Sequence, residues 1–141
     1  MSSACCPVPP SCTIKRRPNA SRSGSTDSAA SASAGHLPPL LHTGEGAHFL
    51  APHGPLLGIN VPRPPGLEFV LPPGGTLVLY TDGLVERRDT EIDVRLAVLA
   101  EAATPVDEDL DRYCGRLLEL TGQDVDDDIA VVAARWRPST T

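Results

Sequence analysis

The spacing of apolar positions changes along the chain, and each change marks an element. In "LEFVL" (Leu67 to Leu71) apolar and polar residues alternate at the start, as in a half-buried strand. "PPGG" (Pro72 to Gly75) then reads as a turn. "TLVLYT" (Thr76 to Thr81) is almost continuously apolar, the pattern of a central strand covered on both faces. The short turn between the two runs favours an antiparallel hairpin. Upstream, "HLPPLLHT" predicts a short edge strand, because its two prolines exclude a central one. "AHFLAP" predicts another short strand, and "GPLLGINVPRPPG" is a Gly- and Pro-punctuated connection.

Downstream the period lengthens to that of helices. Leu96, Leu99 and Ala103 recur at i, i+3 and i+7 and predict a helix over 93–103, with Asp93 as its N-cap. Leu110, Tyr113, Cys114, Leu117 and Leu118 mark one face of a second helix over 106–121. Thr104 is placed to cap it, Pro105 suits its first position, and Gly122 suits its C-terminal end. After an acidic turn, a last strand runs from about Ile129 to Trp136. No internal repeat is present. Strands, then helices, then a strand predict a mixed α/β (α+β) fold in which helices cover an antiparallel sheet containing 67–71, 76–81 and 129–136.

Composition divides the chain. Its 141 residues suit one domain, and an aromatic content of 4% against 40% hydrophobic residues implies an aliphatic core. Residues 1–33 are rich in Ser, Pro and Ala and hold four bases and one acid; residues 34–141 hold the other 8 bases and 17 acids. The first segment has too little large apolar surface to offset its ordering entropy and is expected to be a disordered, dispensable tail. The folded domain is then expected over 34–138. Cys5, Cys6 and Cys12 lie in that tail at spacings that match no zinc site, and Cys114 falls on the apolar helix face.

The net charge of −6 argues against nucleic acid as a partner. No apolar run approaches the roughly 20 residues that span a bilayer, and the N-terminus lacks the roughly 7–15-residue apolar stretch expected of a secretory signal. A cytoplasmic protein without a membrane partner is expected.

Two acidic points carry the candidate chemistry. Asp82 ends one apolar strand, and Asp127 and Asp128 precede another. Were these strands antiparallel neighbours, the carboxylates would meet at one sheet edge, where they repel unless a cation lies between them. Hard oxygen donors of this kind favour Mg²⁺ or Mn²⁺ over zinc. Ordinary turn chemistry explains each site equally well when taken alone, since Asp-Gly and Asp clusters are common in solvated turns. Arg87 and Arg88 are either an exposed loop face or candidates to meet a phosphate. His42, His48 and His53 read as solvated loop residues.

The wording of these segments is more specific than their chemistry. "LYTDGLVERRD", with "AGHLPPLL" before it and "DDDIAVVAAR" after it, resembles the C-terminal half of the PPM-type metal-dependent protein phosphatases. The branch is that of the stage II sporulation phosphatase and the regulators of the stress sigma factor. The resemblance spans about residues 32–137 and implies part of a layered α-β-β-α sandwich. It also implies that Asp82 and Asp127 are metal ligands, with Gly83 and Asp128 adjacent to the metal. The implied activity is hydrolysis of phosphoserine or phosphothreonine by water activated between two Mn²⁺ or Mg²⁺ ions. The implied substrate is a phosphoprotein such as an anti-sigma factor antagonist. His36 falls at a family position of structural character.

The family's "Gly-Asp-Val-x-Gly-His-Gly" type motif, whose Asp bridges both metals, is not found in this chain. No residue here is therefore given a catalytic role. The expectation is a truncated family member with weak metal binding and little or no activity, its oligomeric state, dimer included, left open. Two other classes stand beside it: a non-catalytic half-domain acting as a binding module, and a small divalent-cation-binding regulatory domain.

Overall fold

A computed structural model of the protein describes residues 12–17, 27–50, 54–121 and 128–137. The strands are β1 (Cys12–Arg17), β2 (Asp27–Ser33), β3 (Leu40–Thr43), β4 (Gly46–Phe49), β5 (Leu67–Leu71), β6 (Thr76–Tyr80) and β7 (Val131–Arg135). The helices are α1 (Ile92–Ala102) and α2 (Leu110–Leu118). These elements form two compact bodies. The fold is thus mixed α/β with antiparallel sheets, as the periodicities predict.

The first body is an antiparallel sheet in the order β1-β2-β5. The presence of β1 and β2 corrects the expectation that residues 1–33 form a disordered tail; residues 1–11 and 18–26 lie outside the described residues. In β2 the buried face is made of Ala29, Ser31 and Ser33, at strict period 2. Small side chains carry the alternation, so a search for large apolar residues misses it. Ala29 sits opposite Phe69 and Ser31 opposite Leu67. Gly54 and Gly66 lie against this strand: a Cβ on either would press on the Ser33 or the Ser31 carbonyl.

The second body is an antiparallel sheet in the order β4-β3-β6-β7, with α1 and α2 packed on it. β6 is central, as its composition predicts, and Thr76, Leu77, Val78 and Tyr80 are all buried. The register aligns Phe49, Leu40, Val78 and Ala133 in one row across four strands. That row and Tyr80 meet Leu99 of α1, Ala103 at its end, and Tyr113 and Leu117 of α2 to form the core. The core also encloses Leu84 and Val85, just beyond β6. The Tyr80 hydroxyl donates to the Pro38 carbonyl at 2.8 Å, and the Tyr113 hydroxyl to the Ala103 carbonyl at 3.0 Å. Burial pushes the Tyr113 phenol up to about 12 and raises Tyr80 as well.

Three expectations about this sheet are corrected. First, β5 and β6 do not form a hairpin; they belong to different sheets. Pro72–Gly75 is a turn, closed by a Gly75 N–H to Pro72 carbonyl bond of 2.9 Å with Gly74 at φ +79°. Both edges of β6, however, are occupied by β3 and β7, and the ladder continues into the turn through bonds between Gly74, Gly75 and Trp136. Second, β3 is an interior strand, because it begins at Leu40, after both prolines. Third, His42 and His48 lie on β3 and β4 rather than in a loop. His42 is partly buried, which lowers its pKa. His53 lies outside the described residues.

The helix ends also differ from expectation. α2 begins at Leu110, capped by Asp109, whose carboxylate accepts from the N–H groups of Asp111 and Arg112. An aspartate directly before the first residue of the apolar stripe outcompetes Thr104, which stands in the connection. α1 begins after Glu91, with Asp93 in its first turn instead of at its cap. Gly122 lies outside the described residues.

Candidate functional site

The candidate site is built where β6 ends. Antiparallel pairing places Tyr80 opposite Val131, so the last residues of β6 lie beside the first residues of β7. Beyond the ladder the Thr81 N–H donates to the Ala130 carbonyl at 3.0 Å, and the Ala130 N–H donates to Thr81 Oγ1 at 2.9 Å. Thr81 Oγ1 also donates to the Asp128 carbonyl at 3.4 Å. Pairing of β6 with β7, the premise of the sequence argument for a shared edge, is therefore present. Sequence reasoning overlooked Thr81, whose only signal was its position between an apolar strand and Asp-Gly.

Asp82 opens a single 3-10 turn, Asp82–Leu84. Its carbonyl accepts from Val85 and Glu86 N–H groups at 2.9 and 2.7 Å. Leu84 and Val85 anchor the turn in the core. The Asp82 side chain is exposed, and its Oδ1 accepts from the Gly83 N–H at 2.9 Å. Gly83 is buried and Asp128 is exposed. Asp127 lies outside the described residues. Among the described residues, no group of three or more His, Cys, Asp or Glu side chains converges.

Tested against a hard divalent cation, this donor set fits in kind. Asp82 offers carboxylate oxygen at the solvent-facing end of a rigid strand, and such cations take oxygen ligands. Among the described residues, Asp82 could offer such an oxygen.

Arg87 meets this turn as well. Its Nη1 donates to the Gly83 carbonyl at 3.1 Å and to the Glu86 carbonyl at 2.6 Å. Arg87 and Thr90 form an isolated antiparallel bridge, which closes the chain around Arg88 and Asp89. Of the other titratable groups, Cys114 is pushed up by burial on α2. No helix among the described residues is long and apolar enough to cross a membrane.

Known proteins of similar structure have this arrangement of strands and helices. The RsbU and RsbW domains of a Mycobacterium tuberculosis protein are 29% identical, with a TM-score of 0.66 over 84% of this chain and 35% of that one. The PP2C phosphatase domain of the cell fate determinant SpoIIE from Bacillus subtilis, solved with a fragment of its regulatory domain, is 17% identical. Its TM-score is 0.62 over 82% of this chain and 35% of that one. The phosphatase domain of the same determinant from a manganese-presoaked crystal is 14% identical, with a TM-score of 0.55 over 92% and 58% of the two chains. The chain thus spans between 35% and 58% of the length of these solved chains. Comparison with curated proteins returns no match. The model of the stage II sporulation protein E (SpoIIE) family matches residues 22–137, beginning upstream of the boundary that composition suggests at residue 34. That match takes in most of the chain, which belongs to the SpoIIE family.

Proposed function

We propose that this chain carries part of the metal centre of a metal-dependent protein serine/threonine phosphatase, with Asp82 and Asp127 as ligands to Mn²⁺ or Mg²⁺. The observation that supports this most is the β6–β7 pairing, which brings the segment that begins with Asp82 beside the segment that precedes Val131. When bound, the ion lowers the pKa of its water and draws charge from phosphoryl oxygens. The chain's own residues do the positioning. β6 holds Asp82 at its tip, the Gly83 N–H orients the carboxylate, and Thr81 ties the turn to the start of β7. The substrate class is a phosphoserine or phosphothreonine protein in bacterial signalling, such as an anti-sigma factor antagonist. The likeness to the RsbU and RsbW domains supports that choice.

Two carboxylates leave most of an octahedral shell to water, so Mn²⁺ binding by this chain is weak and its turnover low. Calorimetry with Mn²⁺ tests the site. Weak binding that disappears in Asp82→Asn is the expected result, together with little release of phosphate from a phosphoserine peptide. Binding unchanged in Asp82→Asn would remove Asp82 from the site. Robust turnover that the same substitution abolishes would mean that further ligands complete the centre, for example from a second copy.

A further inference from the structure

Within the run Glu86 to Glu91 every side chain is exposed except that of Arg87. Its guanidinium turns back onto the 3-10 turn and contacts the Gly83 carbonyl within it and the Glu86 carbonyl just beyond it. The end of a helical turn leaves carbonyls without intrahelical partners, and a cationic donor there forms charge-assisted hydrogen bonds. The carbonyls that Arg87 satisfies belong to Gly83 and Glu86. Gly83 is also the residue whose N–H holds Asp82 Oδ1. A glycine is the softest link in a backbone, because no Cβ restricts its φ and ψ. The peptide plane that carries this N–H is held on its carbonyl side by the bonds to Asp82, and the following plane, across the Gly83 dihedrals, is held by Arg87.

We propose that Arg87 is a positioning residue for the Asp82 carboxylate: it clamps the Gly83 and Glu86 carbonyls and thereby fixes the Gly83 N–H that orients Asp82. The backbone of Arg87 is itself held by the bridge to Thr90, so the clamp is anchored at both ends. Its relevance to a metal rests on the proposed function above, but the clamp itself does not. The inference also has a sign that simple electrostatics does not share. A guanidinium beside a cation site repels the cation, so a bystander arginine would weaken metal binding and its removal would tighten it. A positioning arginine does the reverse, as groups that orient metal ligands do.

The experiment compares wild type with Arg87→Met and Arg87→Lys by two readouts. The first is Gly83 amide exchange, followed by NMR without metal, with the Leu99 amide as a check on the fold. Arg87→Met is expected to accelerate Gly83 exchange about fivefold, the equivalent of one hydrogen bond. Arg87→Lys restores it, because one Lys nitrogen can serve both carbonyls as Nη1 does. The second readout is the Mn²⁺ dissociation constant by calorimetry. It is expected to rise about tenfold in Arg87→Met, at the lower end of losses seen when ligand-orienting groups are removed, with Arg87→Lys between the two. Unchanged Gly83 exchange in Arg87→Met, or tighter Mn²⁺ binding, would overturn the proposal. Accelerated exchange in a protein whose wild type binds no Mn²⁺ would uphold the clamp and overturn the metal-centre reading instead.

Discussion

Thr81 and Ala130 exchange two hydrogen bonds, but only one of them runs between main chains. The Thr81 N–H donates to the Ala130 carbonyl in ordinary ladder fashion. The return bond, from the Ala130 N–H, ends on the Thr81 hydroxyl, while the Thr81 carbonyl accepts from Leu84. The side chain stands in for a main-chain acceptor, and the backbone is released to turn one residue before Asp82. Thr81→Val keeps the shape and the β-branch but leaves the Ala130 N–H without its acceptor. It is expected to cost about 1–3 kcal/mol in urea unfolding, whereas Thr81→Ser costs under about 1 kcal/mol.

The cap of α2 separates two readings of one segment. Asp109→Ala is expected to lower stability by about 1 kcal/mol, because the Asp111 and Arg112 N–H groups lose their acceptor. Thr104→Ala, at the exposed residue that spacing alone nominates, should change it by no more than about 0.5 kcal/mol. Equal effects of the two substitutions would contradict the observed helix start.

Neighbouring leucines on α2 face opposite environments. Leu117 is fully buried in the core, and Leu118 is 39% exposed. Leu117→Ala is expected to cost about 2–5 kcal/mol through lost transfer energy and the cavity left behind. Leu118→Ala should cost under about 1.5 kcal/mol, since much of its surface already meets water. Chemical denaturation of both variants measures the difference.

Deletion of residues 1–33 tests the role of β2. A dispensable tail would leave the thermal midpoint unchanged. β2, however, pairs along the whole of β5 and buries Ala29 and Ser31. Its removal takes away both pairing and cover, and the midpoint should fall clearly. A deletion variant with the parental midpoint would refute the pairing.

Alkaline pH should weaken the second body. Tyr113 has an ordinary pKa of 10.0, and burial raises it to about 12. Between those values the unfolded chain has released a proton that the folded chain retains. The unfolded state then binds fewer protons, so stability falls as pH rises. The contribution is complete below pH 10 and is lost toward pH 12, at up to about 1.4 kcal/mol per pH unit for one such group. Urea midpoints at pH 9 and 11.5 should differ less in Tyr113→Phe than in wild type.

What the sequence makes legible follows from side-chain size. Leu77, Val78 and Leu79 identify a central strand because large aliphatics fill both of its faces. β2 escapes notice because Ala29, Ser31 and Ser33 mark its buried face with small side chains. The turn at Pro72–Gly75 can be read from its residues, but the sheet that each flanking strand joins cannot. That choice depends on β3 and β7, which are distant in sequence and occupy both edges of β6. At the candidate site, the wording around Asp82 identifies the family. The hydroxyl bridge of Thr81 to Asp128 and Ala130 is a tertiary contact that no local spacing encodes, whereas the Arg87 clamp is local, reaching back four residues to Gly83, and only the path of the turn shows it.

The order of strands has a consequence for synthesis. β6 leaves the ribosome well before β7, with both helices in between. Until β7 emerges, β6 has one open edge, and the Asp82 turn lacks the Ala130 contacts that hold it. Pairings between distant segments form slowly, and an apolar strand waiting with an open edge is exposed to wrong partners. β7, made after both helices, is therefore the strand that closes this edge, and a nascent chain stalled before Val131 would present an aggregation-prone strand in place of a finished site.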